Sequence, residues 1–175
     1  MMSDSDDIER DLEQEGIKTA GQTGKLLCIR KACIAVAESC TGGLISHWIT
    51  NVPGRSDYFS LSCVTYSNKA KINLLKVLPE TIKKYGAVHE ETAKEMAQGI
   101  RQIAGTTYGL STTGIAGPTG ATKGKPVGTV CIGIATPDHV KAYSFNFSGN
   151  TRLTNKKKFA VKALDLLRTE LQNQK

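Results

Sequence analysis

The sequence predicts an α/β fold, a single-domain three-layer α/β/α sandwich around a mostly parallel or mixed sheet. Three observations lead there. Short apolar runs rich in β-branched residues alternate with segments of helical periodicity. The length, 175 residues, suits one domain with a core on both faces of a sheet. No internal repeat or interdomain linker divides the chain.

Residues 1–18 are acidic and polar and read as a frayed or disordered tail, leaving 19–175 as the folded domain. Residues 21–32 carry Leu26, Leu27, Ile29 and Ala32 amid Lys and Arg, as a covering helix would. Residues 33–37 form a buried strand, and in 42–50 Leu44, Ile45 and Trp48 fall at helical spacing. Residues 51–54, Asn-Val-Pro-Gly, are a turn. Residues 58–66, rich in aromatic and β-branched side chains, are expected as a strand, followed by a short helix through Lys71 and Leu75. Helical patterns cover 80–85 and 90–104, the second opening just after His89. Strands are expected at 108–114 and 128–135, around a spacer too rich in Gly and Pro to fold on its own. Pro137-Asp138 turns the chain into a last strand at 140–147, and 154–172 is the final helix, with Ala160, Ala163, Leu164 and Leu167 on one side.

The formal net charge of +7 hides an asymmetry. Seven of the sixteen acids precede residue 17, where Arg10 is the only base, so the remainder carries 22 bases against 9 acids, a net of +13. Such a balance suits anionic ligands, from a nucleotide phosphate to nucleic acid, although charge runs are often just solvated faces. A nucleic-acid-binding module fits poorly, because the ten aromatics are not interleaved with the bases as stacking platforms would be. The five cysteines, Cys28, Cys33, Cys40, Cys63 and Cys131, are odd in number and lack a CxxC pair, so neither a zinc ribbon nor a disulfide framework is indicated. His47, His89 and His139 are scattered, with no metal-ligand spacing; no metal and no cofactor is expected. No stretch approaches the ~18 apolar residues of a membrane span, and the acidic start lacks the features of a signal peptide. A cytoplasmic protein without membrane contact is expected.

Four clusters fall at strand ends, where open α/β sheets form their crevices: 39–43, 66–71, 112–120 and 149–152. The first turns a strand into a helix. Such a turn leaves backbone N–H groups unpaired at the positive end of the helix dipole, where an oxyanion or phosphate could sit. Ser39 or Thr41 could be a nucleophile there, though Ser and Thr before a helix are also ordinary caps. Cys40, with His89 as base, is a weaker rival. Tyr66, Asn68 and Lys71 offer a phenol, an amide and an ammonium group, and a desolvated lysine can serve as a general base near neutral pH. The glycines of 114–128 could present N–H groups to an anion, yet they match neither a P-loop nor a dinucleotide fingerprint. Arg152 and Lys156, Lys157 and Lys158 open the last helix, an unfavourable place for positive charge unless an anion binds there.

The blocks Ala37-Glu38-Ser39-Cys40-Thr41-Gly42-Gly43, Val64-Thr65-Tyr66-Ser67-Asn68-Lys69-Ala70-Lys71, Gly86-Ala87-Val88-His89-Glu90-Glu91-Thr92-Ala93, Thr113-Gly114-Ile115-Ala116-Gly117-Pro118 and Lys125-Pro126-Val127-Gly128-Thr129-Val130 occur in this order. On them the chain, from about Gly21 onward, resembles the C-terminal domain of the CinA (competence/damage-inducible) family, whose stand-alone members are nicotinamide-nucleotide amidases. The resemblance implies metal-free hydrolysis of the carboxamide of nicotinamide mononucleotide to nicotinate mononucleotide and ammonia, in a homo-oligomer acting on this phosphorylated small molecule. By matching position it implies Ser39 as nucleophile, Lys71 as general base and Tyr66 as orienting or relaying group. Thr41, Gly42 and Gly43 would supply oxyanion donors, while Arg152 and the 113–120 loop, with Thr113, Gly114 and Gly117, would hold the ribose phosphate. Two departures stand out. Leu61-Ser62 replace small glycines and would bulk out the pocket wall, and the family's Gly-Asp-Arg becomes Gly149-Asn150-Thr151-Arg152, with Lys156 where a further arginine is expected. A catalytically silent nucleotide-binding relative is the alternative reading.

Overall fold

A computed structural model describes residues 4–173. The elements are α1 (Asp4–Ile29), β1 (Ile34–Glu38), α2 (Leu44–Thr50), a 3-10 turn (Arg55–Asp57), β2 (Phe59–Val64), α3 (Asn68–Leu75), α4 (Pro79–Tyr85), α5 (Glu90–Ala104), β3 (Tyr108–Gly114), β4 (Thr129–Ala135), β5 (Val140–Asn146) and α6 (Arg152–Asn173). The five strands form one sheet in the order β2-β1-β3-β4-β5. β1 runs parallel to β2 and β3, whereas β3–β4 and β4–β5 are antiparallel. The sheet is therefore mixed, and helices cover both of its faces.

The two faces are packed differently because alternate strand residues point to opposite sides. On one side Ile34, Val36, Leu110, Ile132 and Ile134 meet Ile45 and Trp48 of α2, Ala20 and Leu27 of α1, and Phe159, Leu164 and Leu167 of α6. On the other, Ala35 and Ala37 form a smaller core with Leu75, Val77, Met96 and Ile100. Small residues let α5 lie directly on the sheet there: a Cβ added at Gly109 or Gly133 would collide with the carbonyl oxygens of Ala97 and Ala93. Ser111, on β3 and paired with Gly133, donates to Ala93 O at 2.6 Å.

The acidic N-terminal segment is not a tail over the residues described. It forms the first turns of α1, residues 1–3 lying outside the described residues. What holds it is distant in sequence: Trp48 Nε1 donates to Glu13 Oε1 at 2.6 Å, Lys157 Nζ lies 3.1 Å from Glu13 Oε2 and donates to Glu9 O at 2.7 Å, and Thr154 Oγ1 donates to Glu9 Oε1 at 3.1 Å. The acids of α1 thus offset part of the positive charge at the start of α6, a pairing that composition alone does not reveal.

Candidate active site

β1 ends in Glu38, and the chain then turns through Ser39 to Gly43 into α2. Gly42 and Gly43, at φ 63° and 94°, make the turn, since left-handed backbone is unfavourable for residues with a Cβ. Alternation along β1 sends Glu38 to the α2 side of the sheet and Ser39 to the α3/α5 side. There Lys71, in the first turn of α3, is fully buried at 0 % exposure. Its Nζ donates to Ser39 Oγ at 2.9 Å, to Thr65 O at 2.8 Å and to Tyr66 O at 3.3 Å. All three ammonium protons are thereby placed, and no carboxylate among the described residues pairs with the charge. Burial pushes the Lys71 ammonium down to about 8, with the neighbouring Cys40 opposing the shift. A base of that strength beside a serine hydroxyl is the arrangement nucleophilic catalysis requires.

Glu38 takes the donors that the sequence offers to an external anion. Its Oε2 accepts from Thr41 Oγ1 at 2.7 Å, Gly43 N at 2.9 Å and Ile45 N at 3.2 Å. Its Oε1 accepts from Ser46 N at 2.9 Å and Ser46 Oγ at 2.6 Å. Gly42 N donates to Ser39 O. Gly42 and Gly43 are thus engaged within the protein, contrary to the expectation that they donate to an oxyanion, and the start of α2 is filled by an internal carboxylate. Neither Ser nor Thr caps α2; the acid before them does. The N–H groups of Cys40 and Thr41 are the turn's remaining donors among the described hydrogen bonds. The Thr41 side chain is buried between Glu38 and Thr112 Oγ1, which removes it as a rival nucleophile. Cys40 lines the cleft, but burial pushes its thiol up to about 12. His89, its suggested base, instead caps α5, Nδ1 accepting from Glu91 N, and stacks on Tyr85.

Ser39, Cys40, Tyr66, Lys71, Thr113, Gly114, Gly117 and Arg152 line one cleft of about 280 Å³, so all four strand-end clusters converge. Its remaining wall was not foreseen. Ala87 and Val88, from the α4–α5 connection, complete it, pinned by Thr113 Oγ1 donating to Ala87 O at 2.8 Å and Lys125 Nζ to Tyr85 O at 2.6 Å. Asn68 is exposed and lies outside the cleft, as do Leu61 and Ser62, which therefore leave its wall unaltered. Tyr66 lies at the mouth with 64 % of its surface exposed. Its phenol accepts from Arg152 Nη2 at 3.1 Å; only its backbone carbonyl reaches Lys71, so the expected proton relay through the phenol has no contact to run along. Arg152 Nη1 also donates to Gly117 O at 2.6 Å, and Asn155 Nδ2 to Ala116 O at 3.0 Å. The first turn of α6 therefore grips the 113–120 loop. Lys156, one turn on, sits beside Gly42 and makes no hydrogen bond or ion pair among the described residues. No group of three His, Cys, Asp or Glu side chains there could hold a metal ion, and no helix there is long and apolar enough to cross a membrane.

Fold and cleft together define an α/β/α domain with a serine–lysine pair at the carboxyl end of its parallel strands. Residues 17–171 match the model of the CinA C-terminal domain, and the chain belongs to that family. It is 56% identical over 156 residues to a CinA-like protein of Desulfosudis oleivorans, covering 89% of this chain and 38% of that one. It spans little more than a third of the length of the curated relatives it matches. Among solved structures, the competence damage-inducible protein A of Klebsiella pneumoniae superposes with a TM-score of 0.88 at 29% identity, covering 91% of this chain and 99% of that chain. The competence/damage inducible protein CihA of Agrobacterium tumefaciens gives 0.87 at 31%, covering 91% and 96%.

Proposed function

We propose that this domain hydrolyses the carboxamide of nicotinamide mononucleotide to nicotinate mononucleotide and ammonia through an acyl-enzyme on Ser39, as a cytoplasmic amidase of pyridine-nucleotide salvage. The observation that carries the reading is the 2.9 Å contact between Lys71 Nζ and Ser39 Oγ inside the cleft. In the reactive form Lys71 is neutral, keeps two N–H bonds on the carbonyls of Thr65 and Tyr66, and turns its lone pair to the serine hydroxyl. Ser39 Oγ attacks the carboxamide carbon as its proton passes to Lys71 Nζ. The carbonyl electrons move onto oxygen, towards the N–H groups of Cys40 and Thr41, a kind of donor often worth about 3 kcal/mol. Collapse expels ammonia, which leaves with the proton held by Lys71. Water, deprotonated by the same amine, then cleaves the ester. Arg152 and Lys156 suit the ribose phosphate, one already placed on the loop and the other without a protein acceptor. The route uses only the chain's own groups and water.

The test is ammonia release from nicotinamide mononucleotide by the native chain, Ser39→Ala and Lys71→Ala. Release by the native chain alone supports the proposal. Equal background release from all three removes it.

A further inference from the structure

Glu38 is a fully buried carboxylate at the end of a strand made otherwise of Ile, Ala and Val. Burying such a group is costly unless hydrogen bonds replace its water. Here two hydroxyls and three backbone N–H groups do so, all within residues 41–46. Ser39 lies between the carboxylate and the segment it clamps. The backbone of Ser39 is held as well, its N–H on Thr112 O at 3.0 Å and its carbonyl under Gly42 N at 3.2 Å. The main chain of Glu38 reaches the other half of the pair: its carbonyl accepts from Thr65 N at 2.8 Å, and Thr65 O accepts from Lys71 Nζ. One residue therefore braces the turn that carries the hydroxyl and the strand end that seats the amine.

Resting on the acyl-enzyme reading above, we infer that Glu38 is the positioning residue of the Ser39–Lys71 pair, its carboxylate fixing the turn so that Ser39 Oγ stays within hydrogen-bond reach of Lys71 Nζ. The side chain touches neither reacting group and acts through the backbone it holds. Glutamine cannot replace it. An amide offers one acceptor oxygen, and its NH2 would face the N–H groups of either Gly43 and Ile45 or Ser46.

The experiment measures acetylation of Ser39 by p-nitrophenyl acetate on either side of pH 8, alongside ammonia release from nicotinamide mononucleotide. In acetylation the bond from Ser39 Oγ to the acetyl carbon forms, the bond to p-nitrophenolate breaks, and the serine proton goes to Lys71 Nζ. Glu38→Gln is expected to slow acetylation by about a hundredfold, the scale of a small misplacement, and to abolish its rise near pH 8, while binding of nicotinamide mononucleotide measured calorimetrically is unchanged. Ser46→Ala, which removes the 2.6 Å donor and leaves the carboxylate in place, is expected to slow it roughly tenfold in the same manner.

A variant that keeps the rise near pH 8 at full rate overturns the inference. So does one whose lower rate, once divided by the folded fraction measured at each pH, keeps that rise. Should Glu38→Gln fail to fold, Ser46→Ala decides, and an unchanged profile in it overturns the role. A native chain acetylated with a rise near pH 8 but silent on nicotinamide mononucleotide loses the proposed substrate while the ester still judges Glu38. A native chain whose Ser39 takes no acetyl group overturns both.

Discussion

Lys71 Nζ stands 2.9 Å from Ser39 Oγ, across the gap between the ends of two adjacent parallel strands. Ser39 follows β1 and Lys71 lies in the first turn of α3, the helix after β2, so the parallel β1–β2 pairing that sets Glu38 opposite Val64 brings them together. If the pair acts as one unit, removing either member is expected to cost about as much as removing both, because groups that share one step are not additive. Ser39→Ala, Lys71→Ala and the double variant should each lower kcat/KM by roughly a thousandfold or more. Ammonia release compared across the three checks it; a double variant slower than the native chain by the product of the two single losses would mean the residues act separately.

The lowered ammonium of Lys71 gives a second expectation, in activity and in stability. The rate should climb as pH passes about 8, where the amine becomes neutral. For stability, the folded chain favours neutral Lys71 more than the unfolded chain does, and so holds fewer protons between about 8 and 10.5. The stabilisation is present above 10.5 and lost as pH falls through about 8, a span worth roughly 3 kcal/mol for a buried group. Urea unfolding of the native chain and Lys71→Met across that window measures it. The native chain should gain stability relative to the variant as pH rises, and parallel curves would show that Lys71 keeps its ordinary proton affinity.

Much of this architecture is legible in the sequence, and the parts that are not share a cause. Strand runs such as residues 108–114 and the helix at 90–104 declare themselves through periodicity, which needs no knowledge of neighbours. The four strand-end clusters are legible because glycines and hydroxyls at strand ends mark a crevice. Glu38 is silent in the sequence: as one acid before Ser39 it looks like any other, and only its burial against the 41–46 turn gives it a role. The acidic first helix is misleading for the same reason, its partners Trp48, Thr154 and Lys157 being remote. Lys71 alternates with solvated lysines at 69 and 76, so its burial follows from the packing of α3 on α5 and from the carbonyls of Thr65 and Tyr66 that receive its amine. The Tyr66 phenol points to Arg152 and not to Lys71, a direction that spacing cannot report.

Arg152 lines the cleft and Lys156 lies beside Gly42, and the two have different duties. Arg152 is already bonded to Gly117 O and Tyr66 Oη, so Arg152→Ala loosens the loop as well as removing charge; Lys156→Ala removes charge alone. Lys156→Ala is expected to raise KM for nicotinamide mononucleotide about tenfold with little change in kcat, the loss of one charge-assisted contact. Arg152→Ala should raise KM and lower kcat together. Kinetics with the unphosphorylated riboside provide the control. A Lys156→Ala effect of equal size on that substrate would mean that Lys156 does not contact phosphate.

The close seat of α5 on the sheet sets the last expectation. Thr113 and Ala87, which shape the cleft wall, sit at the ends of β3 and of the connection into α5, so the α5–sheet spacing fixes the cleft as well as the core. At Gly133 that spacing leaves no room for a Cβ, which would meet Ala93 O and Ser111 Oγ, groups that already share a hydrogen bond. Gly133→Ala has no flexible neighbour to push aside and must lift the helix. Overpacking of this kind costs about 1–3 kcal/mol, and the lifted helix should also carry Ala87 away from Thr113. Urea unfolding reads the first effect and KM for nicotinamide mononucleotide the second. A variant as stable as the native chain would show that α5 does not rest on the sheet at Gly133.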